Sequence, residues 1–458
     1  MFTKDFLDSI IKAYDVRGLV NKQLTPDLAF AIGSSFATYL QEEREPSTIV
    51  IGEDMRPSSP TLAKAFSDGA TSQGMDVIRI GLASTDMLYF ASGHLNLPGA
   101  MFTASHNPAA YNGIKLCKSQ ARPIGQESGL LRIKDLVISG IPITNRPVGK
   151  ERSENLLDAY VNFLVSLFDL SKVSRKLKVV IDAGNGMAGY TAPAVMAKLN
   201  VEVIPMYFEL DGNFPNHEAN PIEPDNLKDL QKKVKAVKAD IGLAFDGDAD
   251  RCFLIDEQGE LVNPSSLTSL IATRELVKHP GASIIYNLIS SRAVREVVEE
   301  NGGTAIRSRV GHSYIKKLMA ESGAVFGGEH SGHFYFSDFW RADSGMLAAL
   351  HAVAALGEKK IALSKLLAPF NRYIASGEIN SEVKDAQAAM ERIANTYASE
   401  TGIEIDHLDG LTVSAAEWWF NVRASNTEPL LRLNVEASKR ARMESVRDDV
   451  LNIIRAKA

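Results

Sequence analysis

Cysteine is scarce in this chain: two among 458 residues, Cys117 and Cys252. They lie far apart and outside any ligand-like spacing, which excludes a disulfide scaffold or thiolate zinc site and fits a reducing, cytoplasmic setting. A basic excess is also missing. Lys and Arg number 50 against 56 Asp and Glu, for a formal net charge of −6. That balance argues against a nucleic-acid partner while leaving room for a local basic pocket around an anionic ligand. No run approaches the ~18 apolar residues of a membrane span. The nearest, Gly345-Met-Leu-Ala-Ala-Leu-His-Ala-Val-Ala-Ala-Leu356, is short, contains His351 and reads as a buried helix. The opening residues carry Asp5 and Asp8 where a signal peptide would be apolar. What remains is an ordinary globular composition, 45% hydrophobic and 23% charged. The length predicts about three or four domains.

One rhythm occurs three times. The strands Ser47–Ile51, Leu177–Ile181 and Ala282–Tyr286 are each followed by a helical pattern, at 60–72, 192–199 and 293–300. Second strands follow at 75–80, 201–205 and 304–307, second helices at 87–95, 226–237 and 313–322, and third strands at 99–103, 241–245 and 324–326. Strand–helix–strand units of this kind need a right-handed parallel crossover. The tail differs: strand-like segments around 411–413, 418–422 and 430–435 precede an amphipathic helix over 440–457, beginning after a turn at Ala375-Ser-Gly-Glu378. The expected fold is therefore three related mixed-sheet α/β domains (1–150, 151–256 and 257–372) and a smaller C-terminal α+β domain (373–458), arranged around a central cleft.

Each third strand runs into a polar loop, and ligands of open α/β sheets collect beyond such strand ends. The loops are Thr103-Ala-Ser-His-Asn-Pro108, Asp246-Gly-Asp-Ala-Asp-Arg251 and Gly328-Glu-His-Ser-Gly-His333. The first puts a hydroxyl and an imidazole on a tight turn. In the second, alternation of Asp246, Asp248 and Asp250 in extended backbone would aim three carboxylates to one side, where only a cation relieves their repulsion. Hard oxygen ligands suit Mg²⁺. A calcium EF-hand loop is the competing reading, but Arg251 stands at the sixth position, where that loop wants glycine. The third offers Glu329 and Ser331 for sugar hydroxyls. A fourth polar stretch, Arg423-Ala-Ser-Asn-Thr-Glu-Pro429, has the donors to hold a phosphate dianion. Arg17, in Ala13-Tyr-Asp-Val-Arg-Gly18, is a further cation at a turn, and Arg56 and Arg309 lie in weaker settings.

Together a serine, a metal triad and a remote phosphate clamp fit phosphoryl transfer, which rests on positioning and charge neutralisation. Ser105 as a phosphoserine would give its group to a bound phosphosugar, which would turn and return its first phosphate. One motif competes. Gly184-Asn-Gly-Met-Ala-Gly189 follows a strand and precedes a helix, with Glu209 further on, the formal dinucleotide fingerprint of an oxidoreductase. It would leave most of the polar loops without a role. A non-catalytic phosphosugar-binding protein on the same fold is the third possibility.

These segments, with Asn112-Gly-Ile-Lys115, occur in the order of the α-D-phosphohexomutase superfamily, which the chain resembles nearly end to end. The resemblance implies Mg²⁺ as cofactor, a hexose 1,6-bisphosphate intermediate and activator, and a small phosphosugar substrate, with monomer and dimer both open. It implies that Ser105 is the phosphoserine, and that Asp246, Asp248 and Asp250 hold the metal together with the Ser105 phosphate. Glu329, Ser331 and His333 would contact the sugar, and Arg423, Ser425, Asn426 and Thr427 its non-reacting phosphate. Tyr14, Arg17, His106, Lys115, Arg251 and His312 would line the cleft, with Lys115 and His312 as proton carriers. Some relatives have a lysine where this chain has Asn287. The Gly-Glu-His-Ser-Gly-His form, Asp211-Gly-Asn-Phe-Pro-Asn-His-Glu-Ala-Asn-Pro221 and Ala375-Ser-Gly-Glu-Ile-Asn380 resemble members with phosphomannomutase activity. The glucose phosphates are the alternative substrates.

Overall fold

Each repeat folds with its first strand in the middle. The computed structural model describes residues 2–140, 144–424 and 430–456, without the side chains of His312 and Ser313. In the first repeat, Thr48–Glu53 pairs in parallel with Asp76–Leu82 on one side and Gly99–Phe102 on the other. In the second, Leu177–Asp182 lies between Val201–Met206 and Ile241–Phe245. In the third, Ser283–Asn287 lies between Thr304–Ser308 and Phe326–Gly328. Burial accounts for the order. The first and third strands are almost wholly buried, as a parallel strand covered on both faces must be. Val201–Met206 and Thr304–Ser308, which lie outside them, are more exposed.

Antiparallel strands then make the sheets mixed. Tyr111–Lys118 adds to Gly99–Phe102, and Val16–Leu19 adds beyond it. Cys252–Ile255 adds to Ile241–Phe245. Parallel crossovers alone do not predict these strands.

The chain divides into two compact units, Met1–Val262 with Ser331–Leu366 and Asn263–His330 with Leu367–Ala458. The first contains the helix Gly345–Gly357, all 13 residues of which are buried, so its apolar character on every face needs no membrane. No helix among the described residues is long and apolar enough to cross one. In the second unit the tail forms an antiparallel sheet in the order Ile374–Glu382, Leu430–Ala437, Trp418–Ala424, Leu411–Ser414, Glu404–Asp406. The helices Ala386–Tyr397 and Arg440–Arg455 cover it through a core that includes Ile393, Phe420, Leu433 and Val450.

Three local expectations are corrected. Ala375-Ser-Gly-Glu378 is a bulge inside Ile374–Glu382, not a turn before a domain: the register shifts between Ala375 and Glu378 while pairing continues. The helix after the first strand of the second repeat is Ala188–Met196, starting four residues before the expected 192 because Met187 and Ala188 enter it directly from the glycine loop. In the third repeat, the third strand is Phe326–Gly328, displaced from 324–326.

Two features fix the first polar loop. The helices Pro26–Glu42 and Ser59–Ser72 cross where a Cβ on Gly69 would fall 2.1 Å from Phe30 O. Their close approach seats Phe36 and Phe66 beside Phe102, at the strand end that feeds the loop. Arg56 is the second. It is 1% exposed. Its Nη1 donates to Pro108 O (3.0 Å) and Tyr111 O (2.9 Å), and its Nη2 to Ser105 O (2.9 Å) and Asn107 O (2.7 Å). Nε pairs with Asp54 Oδ2 at 3.2 Å, and the guanidinium stacks on Phe214. One planar cation therefore gathers four carbonyls of the loop.

Two outcomes are expected. Gly69→Ala lowers unfolding free energy by about 1–3 kcal/mol through overpacking of backbone on backbone, read by urea denaturation; unchanged stability would contradict the crossing. Arg56→Lys keeps the charge but loses the fork. It leaves buried carbonyls unpaired and costs about 3 kcal/mol in the same measurement; a cost near zero would remove Arg56 as the support of the loop.

Candidate active site

Ser105 adopts a left-handed backbone, φ 50°, a conformation that costs a non-glycine residue about 1–2 kcal/mol. Its N–H donates to Thr103 Oγ1 (2.9 Å) and its carbonyl is held by Arg56. Its hydroxyl donates to Asp246 Oδ2 at 2.7 Å and lies 3.2 Å from His106 Nδ1. The first polar loop thus touches the second directly.

The second loop is a turn, not extended strand. Ala249 has φ 59° and donates its N–H to Asp246 O at 3.1 Å. The turn, rather than strand alternation, brings the three aspartates together. Asp246, Asp248 and Asp250 are all buried, and each offers an oxygen within 4.8 Å of the others'. Burial, with the Asp250 and Asp248 charges, holds the Asp246 carboxyl well above the usual range. Burial acts the same way on Asp250, but Lys115, His333 and Arg251 outweigh it and hold that carboxyl well below. Lys115 Nζ donates to Asp248 Oδ2 and Asp250 Oδ2, both at 2.6 Å. Burial would lower its pKa, yet the two carboxylates raise it well above the ordinary value, so the side chain stays an ammonium. Thr85 Oγ1 also donates to Asp248 Oδ2, at 2.6 Å. Asp248 Oδ1 and Asp250 Oδ1 are left buried with no hydrogen bond among the described residues. Orphaned carboxylate oxygens beside Ser105 are the donor set a hard divalent cation takes, so the triad fits a metal ion.

Further charges surround the triad. Arg251 N–H donates to Asp246 Oδ1 (3.1 Å), and its Nε donates to His333 Nε2 (3.1 Å). His333 Nδ1 lies 3.0 Å from Ser331 Oγ. Cys252 N–H donates to Gly332 O at 3.2 Å, so the end of the third loop is tied to the second. Arg17 Nη1 donates to Asn107 Oδ1 (2.6 Å), and its Nη2 pairs with Asp15. Burial, then the charges of Arg251 and Arg17, push the His106 imidazole down to about 2, so it is neutral. Tyr14 lies in the bend just before Val16–Leu19.

The second unit carries the remaining described candidates. Glu329 is buried and accepts from Gly311 N–H at 3.1 Å. Arg423 Nη2 donates to Glu378 Oε2 at 2.9 Å, and Arg432 lies 3.3 Å from the other oxygen of Glu378. Ser425, Asn426 and Thr427 lie outside the described residues, as does the His312 side chain. Asn287 is fully buried and accepts from Ser290 Oγ at 2.6 Å.

Sequence reasoning passed over Arg56 as one cation among several and missed Thr85, which precedes the helix expected at 87–95. A charged residue immediately beyond an apolar strand end was the available signal for Arg56. The glycine motif resolves against a dinucleotide. A Cβ on Gly186 would meet Gly247 O at 2.7 Å and one on Gly189 would meet Phe208 O at 2.3 Å, while Met187 N–H donates to Gly247 O at 2.9 Å. The loop packs against the chain's own backbone and buttresses the aspartate turn, where a pyrophosphate would need open amides.

Known proteins agree with this geometry. Models of the phosphoglucomutase/phosphomannomutase family match along the chain: alpha/beta/alpha domain I over 8–138, domain II over 158–259, domain III over 263–373 and the C-terminal domain over 378–453. A protein of Xanthomonas campestris pv. campestris named phosphohexose mutases is 40% identical over 447 residues, covering 97% of this chain and 98% of its own. A phosphomannomutase of Salmonella typhimurium is 40% identical over 435 residues, 93% of this chain and 94% of its own. The crystal structure of a phosphoglucomutase/phosphomannomutase family protein from Burkholderia thailandensis superposes with a TM-score of 0.90 at 32% identity, covering 100% of this chain and 99% of that one. The buried serine–carboxylate contact thus stands in a chain that belongs to the phosphoglucomutase/phosphomannomutase family.

Proposed function

We propose that the chain is a phosphomannomutase, an isomerase that interconverts mannose 6-phosphate and mannose 1-phosphate through a hexose 1,6-bisphosphate, with Ser105 as phosphoryl carrier. The observation that carries this reading is the 2.7 Å contact between Ser105 Oγ and buried Asp246, beside two carboxylates with orphaned oxygens. A serine in that position is surrounded by Lys115, Arg251 and Arg17, cations suited to a phosphoryl group.

In the forward step the bond from phosphorus to Ser105 Oγ breaks while a bond forms to the free hydroxyl of the phosphosugar. That hydroxyl's proton passes to a base of the chain and returns to a Ser105 oxygen in the reverse sense. The bisphosphate then turns, and its other phosphoryl group goes to Ser105. Lys115 and His312 are the assigned proton carriers; Lys115, held as an ammonium by Asp248 and Asp250, serves as the donor. Neutral His106 lies against Ser105 Oγ and can accept a hydrogen bond without adding charge. Arg17 and Arg251 orient the transferring group. Asp246, Asp248 and Asp250, with the phosphate on Ser105, would hold Mg²⁺, which when bound spreads the charge of the phosphoryl group.

Glu329, Ser331 and His333 are assigned to the sugar, Tyr14 to the cleft wall, and Arg423 with Ser425, Asn426 and Thr427 to the non-reacting phosphate. For Arg423 this requires the phosphate to take the place of Glu378. The divisions 1–150, 151–256, 257–372 and 373–458 give each of these tasks its own domain. The glucose phosphates form a second reading, supported by the general hexose name of the Xanthomonas relative. The scarcity of cysteine supports a cytoplasmic location.

Turnover of mannose 1-phosphate and glucose 1-phosphate, with added hexose bisphosphate, is the test. Ser105→Ala is expected to lower kcat by at least ~10³-fold without change in the thermal midpoint, and to abolish the phosphoryl mass on the intact chain. Asp248→Asn is expected to shift the Mg²⁺ titration to higher concentration. A phosphate-free wild-type chain with no turnover of either sugar would favour a non-catalytic binding protein, and preference for glucose 1-phosphate would select the second reading.

A further inference from the structure

Asp248 is gripped from behind by a residue that no part of the sequence motif includes. Thr85 precedes Asp248 by 163 positions. It makes two bonds to it: its backbone N–H donates to Asp248 O at 2.9 Å and its hydroxyl to Asp248 Oδ2 at 2.6 Å. Lys115 Nζ takes the same Oδ2, at 2.6 Å. Both donors lie on one side of the carboxylate, and Oδ1 is the oxygen left without a hydrogen bond.

Thr85 is itself fixed. It opens the helix Thr85–Leu95, whose N-cap Ser84 accepts from Met87 N–H. The next residue, Asp86, is 1% exposed. It accepts hydrogen bonds from Ser84 Oγ, from Tyr160 OH at 2.7 Å and from Ser344 Oγ at 2.6 Å. Those hydroxyls come from three separate stretches of the chain, so the turn that carries Thr85 cannot rotate without breaking a buried network. A threonine hydroxyl held this way is a directional donor that decides which carboxylate oxygen is occupied and which is free.

We propose that Thr85 is a positioning residue for the metal site: it clamps the outer oxygen of Asp248 so that the inner oxygen faces the ion. This rests on the reading of the aspartate triad as a divalent-cation site. Partners of metal ligands typically change affinity 10–100-fold when removed, and the hydroxyl can be deleted with little change of shape.

The experiment measures Mg²⁺ affinity of the full-length chain, free of phosphate by intact mass, through competition with Mn²⁺ followed by electron paramagnetic resonance. Thr85→Val is expected to weaken Mg²⁺ binding about 10-fold or more, whereas Thr85→Ser stays within about 2-fold of wild type because it keeps the donor. Thr85→Ala replaces Thr85→Val in the comparison if the valine variant does not fold, as judged by thermal melting without metal. Asp248→Asn is the control for the site itself. Wild-type affinity in Thr85→Val, or equal losses in valine and serine variants, overturns the role of Thr85 while loss in Asp248→Asn keeps the metal site. Affinity unaffected by Asp248→Asn overturns both.

Discussion

Three carboxylates buried within 4.8 Å of one another are the constraint around which this protein is built. Burial removes the water that would otherwise screen them, and their mutual repulsion grows as the dielectric falls. The chain answers with positive charge and donors of graded strength. Lys115 bridges Asp248 and Asp250, Arg251 lies beside Asp246 and Asp250, and Thr85 and Ser105 supply hydroxyls. These contacts do not exhaust the acceptors. Asp248 Oδ1 and Asp250 Oδ1 stay without hydrogen bonds, which in a cavity this dry marks a place for a ligand rather than an optimised ion pair. The uneven titration follows from the same layout: Asp246 is driven up by burial and its neighbours, while Asp250 is held down by Lys115.

The repeat explains how the necessary groups meet. In the first two repeats the third strand lies beside the first and ends at a loop, so the same topological position delivers Ser105 in one and Asp246 in the other. What differs is what the strand end carries. The antiparallel strand that follows in each case brings a second contribution to the same place: Lys115 on Tyr111–Lys118 and the Arg251–Cys252 junction on Cys252–Ile255. Repetition of a structural unit has thus produced complementary halves of one site, a hydroxyl on one side and carboxylates on the other.

Much of this was legible in the sequence, and the limits have physical causes. Apolar strands ending in polar loops are a local pattern, so the three repeats, the serine loop and the aspartate loop stand out. Backbone conformation inside the loops does not. Alternation suggested an extended Asp-x-Asp-x-Asp strand, whereas Ala249 turns left-handed and the aspartates converge through a turn. Ala375 to Glu378 has the composition of a turn but forms a bulge because Leu430–Ala437 continues to pair on either side. The glycine fingerprint was ambiguous for the same reason: small residues permit close approach, and only the fold reveals that what approaches is Gly247 and Phe208 rather than a nucleotide. Arg56 and Thr85 act through tertiary partners 49 and 163 positions away, separations that no local pattern encodes.

The supporting groups also explain why a strained nucleophile loop can persist. Ser105 in the left-handed region and its neighbours' carbonyls turned inward would each raise the free energy of an isolated loop. Arg56 offsets this by accepting the geometry as given: its four N–H bonds are satisfied only when the carbonyls of Ser105, Asn107, Pro108 and Tyr111 converge. A guanidinium buried without them would be far costlier than the strain, so the cation and the loop stabilise each other and neither is stable alone. Asp86 plays the corresponding part under the aspartate turn. Burial pushes its carboxyl up to about 6, against the pull of hydroxyls from Ser344, Ser84 and Tyr160, and that set of donors leaves it one arrangement in which to be satisfied. Both loops are therefore positioned by buried polar groups with a single solution rather than by apolar packing, which tolerates small displacements. For chemistry that depends on a hydroxyl held 2.7 Å from a carboxylate, it is the directional kind of support that matters.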